Sequence, residues 1–131
     1  MIDPLKMNTT SLAYMGDAIY ESFVRERVIK SGQVHADRLH WSGVKYVCAT
    51  AQAKAIKALL PSLSAEEDAL VRRAKNHKIA TKPKNADPIT YKWATAFEAL
   101  IGYLYLSGQV QRLGDLAEKA IAITELKDNI E

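Results

Sequence analysis

Two long stretches of this chain carry one charge each, and both charges are carboxylates. From Met7 through Tyr20 the charged residue is Asp17; from Trp93 through Gln111 it is Glu98. Leu12, Met15, Ile19 and Phe23 recur at helical spacing in the first stretch, as do Trp93, Phe97, Leu100 and Leu104 in the second. Both stretches therefore predict helices that are covered over most of their surface. A lone carboxylate in such surroundings is unfavourable by several kcal/mol unless it meets a cation, a hydrogen-bond donor or a proton. Two helices far apart in sequence must thus be packed so that each acid finds a partner, and one shared site would serve both.

The rest of the chain reads as further helices. The first helix begins at a cap among Thr9, Thr10 and Ser11 and ends at Ser31-Gly32. A second helical region spans His35 to Leu60, with a break expected near Ser42-Gly43 and a stop at Pro61. Its apolar positions include Val44, Val47, Cys48, Ala51, Ala55, Ala58 and Leu59, with Cys48 expected in the core. Ser64-Ala65-Glu66-Glu67 is a capping box that opens a third helix, to about Asn76. Asp87-Pro88 supplies a cap and a first-turn proline for the helix of Glu98, which Ser107-Gly108 closes. A last amphipathic helix runs from about Val110 to Lys127. No segment alternates as a strand between hairpin turns. The expectation is an all-α single domain over residues 1–131, a length that suits one core and not two. A 48% hydrophobic, 25% charged composition is that of an ordinary soluble globule, and the single cysteine excludes an internal disulfide framework. No signal peptide or membrane span is read, and a cytoplasmic location is expected.

On helical geometry Asp17 points away from the stripe of its helix and shares a face with Thr10, Ala13, Tyr14, Tyr20, Glu21 and Val24. Glu98 likewise shares a face with Ala94, Thr95, Gly102 and Tyr105. Both faces are small and weakly polar, so a helix, a second subunit or a substrate should cover them. Ala13, Ala94 and Gly102 would let helices approach closely and bring the acids within a few ångströms. Like charges that close need a proton or a divalent cation between them, and oxygen ligands select Mg²⁺ or Mn²⁺, with the phosphate chemistry such ions support. The alternative is two separate structural acids bonded to backbone or tyrosine hydroxyls. Glu21, one turn beyond Asp17, could assist a metal through water, but pairs more simply with Arg25 in a solvated charge cluster.

A second feature is basic. Arg72, Arg73, Lys75, Lys78, Lys82, Lys84 and Lys92 place seven of the chain's 18 Lys and Arg between Val71 and Lys92, where Asp87 is the one acid. Residues 80–86 contain Pro83 and no helical stripe, and read as an exposed loop. A cationic loop beside a helix end suits a phosphate backbone, whose contacts position a ligand without reading its sequence; a solvated basic face is the plainer reading. His35 and His40 lack metal-ligand spacing, and no Gly-rich phosphate loop or nucleophile elbow is present.

The two carboxylate motifs resemble those of the ribonuclease III family. Leu12-Ala13-Tyr14-Met15-Gly16-Asp17-Ala18-Ile19-Tyr20-Glu21 is similar to its signature helix around Leu-Gly-Asp. Phe97-Glu98-Ala99-Leu100-Ile101-Gly102 is similar to its second motif. The resemblance covers nearly the whole chain, and the length fits the compact branch called Mini-ribonuclease III, which has the catalytic domain without a double-stranded-RNA-binding domain. Lys75-Asn76-His77-Lys78 and Asn85-Ala86-Asp87 also look like that branch. The resemblance implies a catalytic Asp17, Glu98 as the second retained metal ligand, Mg²⁺ with Mn²⁺ as a substitute, and a homodimer in which signature helices meet. It further implies cleavage of double-stranded RNA to 5′-phosphate and 3′-hydroxyl ends, a substrate in 23S ribosomal RNA precursors, and a ribosomal protein as a candidate helper. The chain departs from the larger enzymes at Thr10, Ala13 and Thr95, where they carry further acids, so its metal shell should be thinner and richer in water.

The expected function is thus a Mg²⁺-dependent endoribonuclease with Asp17 and Glu98 as catalytic metal ligands. Arg72, Arg73, Lys75, Asn76, Lys78, Lys82 and Lys84 would be its RNA-binding residues. The rival is a non-catalytic RNA-binding or ribosome-associated protein on the same fold, although loss of catalysis would have freed both apolar helices of an awkward charge. A metal phosphohydrolase of small nucleotides is a weaker third.

Overall fold

At the centre of the molecule lies the helix that carries Glu98. In a computed structural model that describes residues 3–77 and 87–130, six α-helices are seen: α1 (Thr9–Lys30), α2 (Ala36–Val47), α3 (Ala49–Leu59), α4 (Ala65–Asn76), α5 (Pro88–Leu106) and α6 (Val110–Ile130). Among the described residues there is no strand. Short 3₁₀ turns precede α1 and follow α3. The all-α expectation holds. α5 is buried nearly all round, from Ala94 through Leu104, because its sequence offers no polar face. α1, α3 and α4 pack around it, and α6 lies against α3 and α5.

Local chemistry sets the helix ends. Asn8 caps α1, its side chain accepting from the Thr10 amide at 2.7 Å, one residue before the expected caps. The Ser64–Glu67 capping box is reciprocal, at 2.8 and 3.1 Å. Asp87 accepts from the Thr90 amide at 3.1 Å, with Pro88 in the first turn of α5. Gly108, at φ 74°, ends α5 in a Schellman motif: the Gln109 amide reaches the Leu104 carbonyl at 2.9 Å.

Three details differ from the sequence reading. The break between α2 and α3 falls at Cys48, whose extended backbone serves both as the end of α2 and as the start of α3. Cys48 is exposed there and is not a core residue: at the junction its side chain leaves both apolar faces. The buried stripe of α1 is Thr9, Leu12, Ala13, Gly16, Tyr20, Val24 and Val28, while Met15, Ile19 and Phe23 are half-buried. α1 is rotated because Gly16 allows it to sink onto α5, as described below. This draws Tyr20 and Val24 from the face assigned to Asp17 into the core, where Tyr20 meets Phe97 edge-on with centroids 4.7 Å apart.

Two polar clamps fasten α6. Arg112 reaches the Glu67 carboxylate at 2.7 and 2.9 Å and the Ser62 carbonyl at 2.8 Å. At the other end Arg27 meets Glu125 through two bonds of 2.8 Å, and the Tyr46 hydroxyl donates to the same carboxylate at 2.8 Å, so α1, α2 and α6 meet on one acid. No helix among the described residues is long and apolar enough to cross a membrane.

Candidate active site

The site is made by the crossing of α1 on α5. A Cβ added to Gly16 would lie 1.7 Å from the Glu98 carbonyl oxygen, and one added to Gly102 would lie 1.9 Å from the Leu12 carbonyl oxygen. The two backbones touch at these reciprocal positions, an approach that any larger residue would prevent. Asp17 follows Gly16 directly, so the crossing that sets Gly16 on the Glu98 backbone sets the Asp17 side chain beside that of Glu98.

The two carboxyl groups lie within hydrogen-bonding reach of one another. Their surroundings are graded. Asp17 is exposed, Glu98 is half-buried, and Gln52 of α3, which hydrogen-bonds Glu98, is 3% exposed. Burial raises the proton affinity of Glu98, the adjacent Asp17 carboxylate and their shared hydrogen bond raise it further, and the Gln52 bond opposes both. The net effect pushes the Glu98 carboxyl up to about 8. Glu98 therefore holds its proton more tightly than an ordinary carboxyl. Glu21 pairs with Arg25 at 3.1 Å, as its spacing predicts, and is not part of this contact.

The sequence reading missed Gln52. Positions 52, 53, 55, 56 and 59 are the buried residues of α3, and Gln52 is the polar member among Ala53, Ala55, Ile56 and Leu59, a signal that shows only once its burial is known. A cleft of about 450 Å³ between α1 and α2, lined in part by Glu21, Arg25 and His40, contains neither Asp17 nor Glu98.

Among the described residues no group of three or more His, Cys, Asp and Glu side chains is arranged to hold a metal. The two carboxylates remain as oxygen donors, with the Gln52 amide beside Glu98. A small hard cation that keeps most of its water fits such a set, since Asp17 opens to solvent and two adjacent carboxylates favour positive charge between them.

The basic residues among those described are more engaged than their sequence suggests. Arg72 pairs with Asp68 at 2.8 Å. Arg73 donates to the Leu5 and Met7 carbonyls at 3.1 and 3.2 Å, which ties the segment before α1 to α4. The Lys75 ammonium sits 4.6 Å from the centre of the Trp93 ring, and Lys57 of α3 approaches the same ring at 5.7 Å. Asn76 is exposed at the end of α4. Lys78, Lys82 and Lys84 lie outside the described residues.

This arrangement has relatives. The family model of the ribonuclease III domain matches residues 10–109, a span that includes both acids. The chain belongs to the ribonuclease III family. Within it, the chain is 46% identical over 125 residues to the Mini-ribonuclease 3 of Symbiobacterium thermophilum, covering 95% of this chain and 96% of that one. It is 46% identical over 123 residues to the Mini-ribonuclease 3 of Brevibacillus brevis, covering 94% and 92%. A crystal structure of a protein from Fusobacterium nucleatum, 30% identical, superposes with a TM-score of 0.80 over 89% of this chain and 93% of that one. As a ribonuclease III family member the protein is an endoribonuclease, which decides against the non-catalytic rival.

Proposed function

We propose that the protein is a homodimeric, Mg²⁺-dependent endonuclease of double-stranded RNA, with Asp17 and Glu98 as its catalytic carboxylates and metal ligands, and with Mn²⁺ able to replace Mg²⁺. The observation that carries this reading is the Asp17–Glu98 pair itself: two carboxylates brought together at a helix crossing, one open to solvent and one half-buried, with its proton affinity raised by its surroundings. A bound cation would supply an activated water and offset charge on the scissile phosphate. The chain's own part is to preset the ligands. Glu98 and Asp17 would hold the cation between them, with Asp17 on the side open to solvent. The α1–α5 backbone contact keeps their spacing fixed during the reaction. Products would carry 5′-phosphate and 3′-hydroxyl ends.

Binding of the duplex falls to Arg72, Arg73, Lys75, Asn76, Lys78, Lys82 and Lys84. Side chains cannot read the deep major groove of A-form RNA, so shape and phosphate contacts dominate. Arg73 keeps an exposed charge while it holds the segment before α1, and Lys57 adds a further cation beside Trp93. The exposed α1 face of Tyr14, Asp17 and Ala18 supports a dimer: Tyr14 is 83% exposed within an apolar stretch. The biological substrate is a 23S ribosomal RNA precursor in the cytoplasm, with a ribosomal protein as presenting partner.

Cleavage of a long RNA duplex by the native chain and by Asp17→Asn tests the reading. The native protein should cut with Mg²⁺, stop in EDTA, and bind less tightly as salt rises; Asp17→Asn should lose cutting by about a hundredfold or more while still binding. Cutting that survives EDTA or Asp17→Asn would remove the metal-nuclease reading, and salt-independent binding would remove the role of the basic segment.

A further inference from the structure

Gln52 is one of three buried polar or charged side chains among the described residues, with Thr9 and Glu67. Glu67 is accounted for by Arg112 and the Ser64 cap, and Thr9 opens α1. Gln52 does neither kind of work. It sits in mid-face on α3, where Ala55, Ile56 and Leu59 pack inward and another apolar residue would fit, and it places its carboxamide on the Glu98 side chain. A buried amide persists in such a position when its hydrogen bond is needed.

The chemistry of the group suits one task. A carboxamide is neutral at every working pH, so it neither attracts a cation away from the acids nor repels it. Its N–H donors hold one oxygen of a carboxylate and leave the remaining lone pairs free. Glu98 is thus gripped from α3 by Gln52 and faced from α1 by Asp17, and its carboxylate cannot turn away without stranding a buried donor. Thr10, Ala13 and Thr95 provide no further carboxylate, so the orientation of Glu98 has to come from another kind of group.

We propose that Gln52 is the positioning residue of the active centre: it anchors Glu98 in the orientation that faces Asp17, so that a divalent cation meets a preset pair of ligands. This rests on the reading of Asp17 and Glu98 as metal ligands. Outer-shell partners of this kind typically change metal affinity by about ten- to a hundredfold when removed.

The test is a titration of the full-length protein with Mn²⁺, followed by calorimetry, beside thermal unfolding in EDTA and cleavage against Mg²⁺ concentration. Gln52→Met keeps the length and most of the volume of the side chain and removes the amide. It should unfold in EDTA at the native temperature or above, bind Mn²⁺ about tenfold more weakly or worse, and need correspondingly more Mg²⁺ for half-maximal cutting, with much of the maximal rate recovered at saturation. Mn²⁺ affinity and Mg²⁺ dependence both within twofold of native would overturn the proposal. Gln52→Asn, which keeps the amide but is one methylene too short to reach Glu98, decides by the same readings if Gln52→Met does not fold. Asp17→Asn is the control for the underlying reading: unchanged Mn²⁺ binding in that variant would remove the metal site itself and not merely the part played by Gln52.

Discussion

Glu98 is the residue at which stability and activity oppose one another. Its folded-state carboxyl is raised to about 8 from an ordinary value near 4.5. A raised acid favours the protonated fold, so its contribution is fully present below the ordinary value and is lost as pH rises through about 8. The metal-free protein should therefore lose stability between about pH 4.5 and 8, at no more than about 1.4 kcal/mol per pH unit from this group. Glu98→Gln should flatten that slope, raise the unfolding temperature in EDTA at pH 8, and abolish cutting; denaturant unfolding at several pH values measures it. A Glu98→Gln protein no more stable than native at pH 8 would show that burial does not strain this carboxylate. Asp17 and Glu98 were both legible in the sequence because each is a lone charge in an apolar stretch. Gln52 was not, because an uncharged polar residue in a run of alanines raises no such alarm until its burial is known. Cys48 misled for the opposite reason: small and apolar neighbours suggested the core, but a change of helix direction put it outside.

The decisive element-scale feature is the α1–α5 crossing. Gly16→Ala and Gly102→Ala each place a methyl group against opposing backbone, at 1.7 and 1.9 Å before relaxation, and backbone cannot move aside as a side chain tip can. Each should destabilise by about 3 kcal/mol or more and depress cutting even where the fold survives, because the helices must separate and Asp17 moves off Glu98. Gly114→Ala, with nothing within 4 Å of its added Cβ, should leave unfolding and cutting at native levels or slightly improve stability. Equal behaviour of the three variants, read by thermal unfolding and duplex cleavage, would remove the crossing as the determinant of the site. Helix existence and ends were largely readable, through Asp87-Pro88, the Ser64–Glu67 box and Ser107-Gly108. The rotation of α1 was not, since the spacing of Leu12, Met15, Ile19 and Phe23 ignores how far a glycine lets one helix sink onto another.

At the scale of the whole molecule, the proposed assembly rests on exposed surface. The proposed dimer joins α1 faces through Tyr14, so Tyr14→Arg should shift the protein from dimer to monomer in sedimentation at micromolar concentration and reduce cutting, with its unfolding temperature in dilute solution little changed. A native chain that sediments as a monomer would remove the dimer. The basic segment was legible as charge, but its organisation was not: partners such as Asp68 for Arg72, the Leu5 and Met7 carbonyls for Arg73 and the Trp93 ring for Lys75 are brought in by tertiary packing.

The central place of α5 has a consequence for how the molecule comes into being. α1 leaves the ribosome early, yet the surface on which Gly16 must rest belongs to a helix made much later. Until α5 has emerged, the inward side of α1 has no permanent neighbour and Asp17 has no second carboxylate. If the pair is the catalytic centre proposed above, a growing or truncated chain that lacks α5 should not cut RNA. The proposed site is then assembled only by the docking of α5 on α1.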